Sequence, residues 1–220
     1  MENQASTEDL LDFSQPWQLS DVVLVVEEER FHVHRSILGM WSPVFTAQFK
    51  KKTAEEIPLP GKKASEIKEM LLVIYPTSAK PIDDGNYVFL LELAKEYMMT
   101  KLTQKCEISL MDRLEKPQLL RRRQLASRFE QQLVFGQPSY FGSNTPGRSN
   151  HTTGLDCLVL LDIAQTYELE RLQTACINSA KCMSFEDFKK HDMYKKISFP
   201  NYRAIVEGMI ERMKEELYEG

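Results

Sequence analysis

Two histidines, His32 and His34, have a spacing that raises the question of metal binding. They lie two residues apart on a predicted strand, so both imidazoles face the same side. A metal site needs three or four ligands, and the other two histidines, His151 and His191, lie in stretches without partner spacing. The pattern favours a structural role, with His34 hydrogen-bonded where the strand meets the next helix. We therefore expect no metal and no cofactor.

Catalytic chemistry has no supporting local motif in this sequence. No Ser/His/Asp set or Cys/His pair has a recognisable motif around it, and the four cysteines form no C-x-x-C pair. The Gly61-Lys62-Lys63 tripeptide lacks the spaced glycines of a phosphate-binding loop. Adjacent acidic residues such as Glu55 and Glu56 point apart and are typical of a solvated surface. We expect a protein that is not an enzyme.

Composition excludes several other classes of protein. The chain has 220 residues, is 42% hydrophobic and carries 28 basic against 32 acidic side chains, a net charge of −4. No apolar run approaches the roughly 18 residues that a membrane span needs. The N-terminus is acidic and lacks the basic region of a secretory signal, so we expect a cytoplasmic or nuclear protein without membrane contact.

Two basic clusters, at 50–52 and 121–123, raise the question of nucleic-acid binding. A charge run alone is weak support for that function, because recognition also needs aromatic or groove-reading context. The pattern favours a solvated basic surface, with nuclear import or phosphate contact left open as alternatives.

The hydrophobic pattern predicts a mixed α/β region followed by helices. Strands are expected near 21–26 and 30–34, and a third at 55–59. Short helices are expected from Arg35 and after Ser42-Pro43, an N-cap followed by proline at the first helical position. Further helices are expected up to Pro76, from an Asn86 cap, and through Leu102. Residues 1–19 predict a short terminal helix that Pro16 ends.

An internal repeat marks a second helical unit. Four residues recur at an offset of 70: Ala94, Tyr97, Leu102 and Cys106 match Ala164, Tyr167, Leu172 and Cys176. The match predicts a repeated helical hairpin and an all-helical region at 154–220, with an Asn201 cap before a stripe of Tyr202, Ile205, Met209 and Met213. Between the repeats, 115–153 is breaker-rich and basic, with six basic residues and one acidic in 116–150, a net +5. We expect this insert to be partly disordered.

The first part of the chain resembles the BTB/POZ domain family. The resemblance covers about 20–114 and depends on the order and spacing of twelve residues rather than on any one of them. These residues are Asp21, Phe31, His34, Leu38, Ser42, Phe45, Phe49, Tyr75, Ala94, Tyr97, Leu102 and Cys106. The later helices resemble the BACK-type region that follows BTB domains in ubiquitin-ligase adaptors.

The resemblance implies an α+β fold, with a small, mainly antiparallel sheet against a helical cluster and an all-α BACK-like extension. It implies protein binding rather than catalysis, with a homodimer, a cullin scaffold and an unidentified substrate protein as partners. The positions that match the cullin-binding motif are Thr53, Ala54 and Glu55, where threonine replaces the usual larger apolar anchor. The alternative is a homo-oligomeric scaffold or transcriptional co-regulator that binds no cullin.

An apolar stripe near the N-terminus is the candidate dimer interface. It consists of Leu10, Leu11, Phe13 and Trp17. A terminal helix this short is marginal without partners, so the stripe packs either on its own domain or on a second copy. The sequence leaves both alternatives open.

Overall fold

The computed structural model describes residues 12–51, 55–115 and 156–218. The chain divides after Cys106 into two compact units, 1–106 and 107–220. The strands are β1 (Val22–Val26), β2 (Glu29–Val33) and β3 (Glu56–Pro58). The helices are α1 (Arg35–Trp41), α2 (Pro43–Lys51), α3 (Ala64–Ile74), α4 (Tyr87–Glu96), α5 (100–115), α6 (Cys157–Thr166), α7 (Glu170–Ala180), α8 (Phe185–Lys190) and α9 (Phe199–Tyr218), with a 3-10 turn at Asp192–Lys196.

The three strands form a mixed sheet in the order β2-β1-β3. Leu24 in β1 lies opposite Phe31 of antiparallel β2 and opposite Ile57 of parallel β3. The prediction of a mainly antiparallel sheet is therefore wrong for the β3 edge. The reason is connectivity, because the chain leaves β2 through two helices, α1 and α2, before β3 pairs with the other edge of β1 and runs in the same direction as β1.

Burial alternates along β1, although all five of its residues are apolar. Val22, Leu24 and Val26 are buried, whereas Val23 and Val25 are half-buried. One face of the sheet is therefore fully covered and the other only partly. Helix α3 belongs to the core of residues 1–106, since its last five residues, Met70 to Ile74, are all buried.

Two asparagines do not cap helices as the sequence predicts. Asn86 precedes α4, but its side chain accepts from the Asp83 N–H and donates to the Pro81 carbonyl, which ties the loop rather than the helix. Asn201 lies inside α9, which begins at Phe199. In both cases the amide finds partners in its surroundings, which sequence spacing does not show.

The 70-residue repeat forms the same helix ending twice. At the end of α4, Met98 has φ +53° and the Met99 N–H donates to the Ala94 carbonyl at 2.7 Å. At the end of α6, Glu168 has φ +57° and the Leu169 N–H donates to Ala164 at 2.8 Å. This six-residue closure is a Schellman motif, which normally favours glycine at the left-handed position.

Glycine at position 168 should therefore stabilise the second unit. A left-handed residue other than glycine is strained, and Glu168 is exposed, so Glu168→Gly should raise the free energy of unfolding by about 1 kcal/mol. Urea denaturation followed by circular dichroism measures the change. Glu170→Gly, two residues later inside α7, is the control and should be destabilising by about 0.5–1 kcal/mol. A loss of stability in both variants would contradict this account of the turn.

A polar cluster joins three helices of the second unit. Gln173 in α7 donates to the Asn201 side-chain oxygen at 2.8 Å, and Asn201 donates to Gln165 of α6 at 3.2 Å. The Ser184 hydroxyl caps α8 by accepting from the Asp187 N–H at 3.1 Å. Ile205 and Met209 of the predicted α9 stripe are buried, whereas Met213 is exposed.

The cysteines of the second unit differ sharply in their surroundings. Burial raises the pKa of Cys157 and of Cys176 to about 12, and the nearby Asp156 carboxylate adds to both shifts. Cys182 is exposed. A thiol with a pKa near 12 has almost no thiolate at pH 8, and only the thiolate is nucleophilic.

Alkylation at pH 8 should therefore modify Cys182 well before Cys157 or Cys176. Iodoacetamide labelling followed by peptide mass spectrometry over a time course measures the order. In a denaturant the three should react at similar rates, because the shifts require the fold. Equal rates in the native protein would contradict the burial of the two thiols.

Candidate functional site

The start of α2 is fixed by a buried serine. The Ser42 hydroxyl accepts from the Phe45 N–H at 3.1 Å, which caps the helix as the sequence predicts. The same hydroxyl donates to the Tyr97 carbonyl at 2.6 Å. A single buried side chain therefore joins the first turn of α2 to the end of α4.

An aromatic stack holds the underside of α2. The Phe45 ring lies 4.7 Å from the Tyr97 ring, nearly parallel to it, and 5.9 Å from the Phe49 ring. Phe45 is buried and Phe49 half-buried, with the Arg35 guanidinium 5.2 Å above the Phe49 ring. Burial raises the pKa of Tyr97 to about 12, and the Glu96 carboxylate adds to the shift. Phe45 is thus a core residue that positions the outer face of α2.

A shallow groove runs over the outer face of α1 and α2. Its centre is Gly39, Met40, Thr46 and Lys50, and a β-carbon on Gly39 would lie 3.2 Å from the Thr46 hydroxyl oxygen. Thr46 donates to the Gly39 carbonyl at 3.0 Å, so the two helices approach closely here. We call this surface the methionine groove; it also includes Arg35, Ser36, Trp41, Pro43, Ala47, Phe49, Met98 and Lys101.

The methionine groove combines exposed apolar and basic side chains. Met40 is 67% exposed and Met98 62%. Lys50 and Lys101 are exposed on its rim, and among the residues described for its lining none is acidic. Flexible methionine side chains adapt to varied apolar partners. This surface therefore suits a protein segment that carries both apolar and acidic side chains.

The predicted cullin-binding positions are described only in part. Thr53 and Ala54 lie outside the described residues. Glu55 is exposed, and its carbonyl accepts from the Val23 N–H at 2.8 Å at the start of β3. The sheet therefore fixes the backbone of Glu55, while its side chain faces solvent. The role of the three positions stays a prediction.

The predicted dimer stripe is also described in part. Leu10 and Leu11 lie outside the described residues, and residues 12–19 form turns and extended chain rather than the predicted helix. Phe13 is buried, with its ring 5.1 Å from Tyr75. Half-buried Trp17 donates from Nε1 to the His32 carbonyl at 3.0 Å. Both described members pack on their own domain, the first of the two alternatives, and the dimer interface itself stays a prediction.

His34 and Tyr75 meet at the junction of β2 and α1. The Tyr75 hydroxyl accepts from the His34 backbone N–H at 2.9 Å and lies 3.1 Å from His34 Nδ1. His34 Nε2 lies 2.7 Å from the Gln18 carbonyl, which makes Nε2 the donor and Nδ1 an acceptor. Burial raises the pKa of Tyr75 to about 12. The prediction that His34 hydrogen-bonds at this junction is confirmed.

Most of the other fold-defining residues are in the core. Asp21 is exposed, and its side-chain oxygen accepts from the Arg35 N–H at 2.8 Å at the start of α1. The remainder are buried: Phe31, Leu38, Ala94, Leu102 and Cys106. Among residues 12–51, 55–115 and 156–218, no three His, Cys, Asp or Glu side chains are placed to hold a metal ion. No helix in those ranges is both long and apolar enough to cross a bilayer.

The two methionines of the groove were not predicted from the sequence. A signal was available for Met98, because the repeat places Glu168 at the equivalent turn position. An apolar residue where the second copy has a charged one indicates an exposed apolar surface. Met40 carries no such signal, because its exposure depends on how α1 packs.

Comparison with known proteins identifies the first domain. A BTB/POZ domain family model matches residues 10–114. The chain is 26% identical over 211 residues to BTB and MATH domain-containing protein 36 of Caenorhabditis elegans, covering 92% of this chain and 53% of that protein. It is 32% identical over 93 residues to BTB and MATH domain-containing protein 38 of the same organism, covering 40% and 24%.

A solved structure and the extent of the relatives complete the comparison. The BTB domain of zebrafish PATZ1 aligns with a TM-score of 0.38 at 22% identity, over 43% of this chain and 78% of that one. The chain spans about half the length of the first of these relatives, at 53%. The C-terminal helical region is present but not identified as BACK, so that resemblance stays a prediction. Residues 10–114 of this chain match the BTB/POZ domain family, and its relatives are BTB and MATH domain proteins.

Proposed function

We propose that this chain is a non-enzymatic adaptor whose BTB domain binds a protein partner through the methionine groove. The observation that carries the proposal is the exposure of Met40 and Met98 between basic side chains, beside a helix α2 that packs through the Phe45 stack. Exposed apolar side chains beside charged ones are typical of interaction surfaces. The relatives support an interaction role without naming the partner.

The partner that we propose is a cullin scaffold, which would make the chain a substrate adaptor of a ubiquitin ligase in the cytoplasm or nucleus. The motif positions Thr53, Ala54 and Glu55 follow α2 directly, and Lys50 of the groove lies in the last turn of that helix. Glu55 offers an exposed carboxylate on a backbone held by β1. A contact that includes both the groove and Glu55 would combine apolar and charged recognition.

Thr53 should make this binding weaker than that of a chain with a larger anchor. Methionine would add about two buried carbons, worth roughly 1.5 kcal/mol at 0.8 kcal/mol per CH₂, near tenfold in affinity. Thr53→Met should therefore tighten cullin binding by about that factor. Glu55→Lys should weaken it by more, because a favourable charge contact becomes a repulsive one.

Affinity purification from the native cell tests the proposed function. The tagged wild type is compared with the double variant Met40→Asp, Lys50→Glu and with the control Lys68→Glu, which reverses an exposed lysine on α3. We expect a cullin to co-purify with the wild type and the control, and its recovery to fall about tenfold or more with the double variant. Recovery of the chain with further copies of itself, but with no cullin, would instead support the scaffold or co-regulator alternative.

A further inference from the structure

Helix α9 has an apolar stripe along its solvent side. Its inward face carries the buried Asn201, Ile205 and Met209. The outward stripe begins at half-buried Val206 and continues through Ile210, Met213 and Leu217, which are 42%, 45% and 80% exposed. Exposed apolar surface along three turns is unusual on a helix that has already buried one face, and indicates a docking surface.

The spacing of this stripe is that of a coiled coil. The steps from Val206 to Ile210, Met213 and Leu217 are four, three and four residues. The four residues therefore occupy the d, a, d and a positions of successive heptads. The flanking e positions are Glu207 and Lys214, both exposed. Because e and g side chains set partner and orientation in coiled coils, these two charges indicate which partner fits.

The charges are complementary to those of a second copy running in the opposite direction. If Ile210 lies opposite Met213 of the other copy, Val206 lies opposite its Leu217, and twofold symmetry gives four apolar layers. The same register places Glu207 beside Lys214 of the second copy, twice. A parallel pair would instead direct Lys214 toward Met209, so it would form neither contact between Glu207 and Lys214.

The existing ion pairs of α9 leave this register available. Glu207 accepts from Arg203 at 2.7 Å, but both side chains are more than half exposed, so this pair contributes little to stability. Among the residues that the structure describes, Lys214 has no ion pair within the chain, whereas Glu216 lies 3.6 Å from Arg212. Lys214 is therefore a charged side chain beside the stripe whose charge no ion pair to a described residue neutralises.

We infer that α9 binds α9 of a second copy of this chain in an antiparallel pair, with Val206, Ile210, Met213 and Leu217 as its seam. This surface lies on the helical unit and does not depend on the partner of the BTB domain. Four layers form a short seam, so the pair is expected to be weak, with dissociation at roughly tens of micromolar.

Charge reversal in the full chain tests the inference. Sedimentation equilibrium compares the wild type with Glu207→Lys and Lys214→Glu, each of which makes both symmetry-related contacts repulsive. Each single reversal should weaken association at least about tenfold. Glu215→Lys, on the outward side of the helix away from the seam, is the matched control and should associate as the wild type does.

Mixing the two singly reversed chains is the decisive experiment. A Glu207→Lys chain and a Lys214→Glu chain restore both attractive contacts in the antiparallel register, so the mixture should associate again, as should the double reversal. Self-association through the BTB domain would be common to every variant and leaves these differences intact. The inference is overturned if single reversals associate like Glu215→Lys or if the mixture fails to restore association. Either result would assign the stripe to another occupant, such as another segment of this chain.

Discussion

Replacing Phe45 with alanine should lower the free energy of unfolding of the BTB domain by about 3–5 kcal/mol. Phe45 is fully buried and stacks on Tyr97 and Phe49, so alanine removes the central ring of the stack and leaves a cavity beneath α2. Urea denaturation followed by intrinsic fluorescence measures the loss. The methionine groove should lose its partner affinity at the same time, because α2 forms one of its walls.

Phe49→Ala is the matched control for this result. Phe49 is half-buried and lies at the edge of the stack, so its removal should destabilise the domain by about 1–2 kcal/mol. Equal losses of unfolding free energy for the two variants would show that Phe45 contributes no more to the stack than Phe49 does. A loss below about 1 kcal/mol for Phe45→Ala would contradict its role in positioning α2.

Replacing Glu107 with alanine should destabilise the helical unit, residues 107–220, by about 2–4 kcal/mol. One carboxylate oxygen of this buried residue accepts from the backbone N–H groups of Arg171 and Leu172 at 2.9 and 3.1 Å. These are unpaired donors of the first turn of α7, where the helix dipole also favours a negative charge. Without the carboxylate, the buried N–H of Leu172 and the part-buried N–H of Arg171 both lose their acceptor.

Amide hydrogen exchange resolves where this loss occurs. The N–H groups of Arg171 and Leu172 should lose protection first in Glu107→Ala, ahead of the rest of α7. Glu107→Gln keeps one acceptor oxygen and should cost less than alanine does. Glu170→Ala, an exposed acidic residue in the first turn of the same helix, is the control. Unchanged protection at Arg171 in Glu107→Ala would contradict the capping role.

Local sequence signals predicted most of the secondary structure. Ser42 before Pro43 marks a helix start because both the cap and the fixed proline φ act within three residues. The repeat around Ala94 and Ala164 predicted two helical hairpins, since the apolar spacing reports directly on the buried face. The parallel pairing of β3 with β1 depends on the path of the chain through α1 and α2, which no local pattern encodes.

Hydrogen-bond partners that lie far apart in the sequence could not be predicted from it. Glu107 caps a helix that begins more than sixty residues later, and Asn201 bonds to Gln165 and Gln173 instead of capping its own helix. The methionine groove has the same origin, because the exposure of Met40 is decided by the packing of α1 against α2. Charged and amide side chains predict that a partner exists without identifying it.

The adaptor function requires protein binding at the methionine groove and Glu55, and calorimetric titration with a purified cullin N-terminal region tests this binding most directly. The full chain should bind, with Thr53→Met tighter by about tenfold and the Met40→Asp, Lys50→Glu double variant weaker by about tenfold or more, while Lys68→Glu matches the wild type. Absence of binding by both the wild type and Thr53→Met would contradict the adaptor function. Wild-type affinity in the double variant would contradict the site.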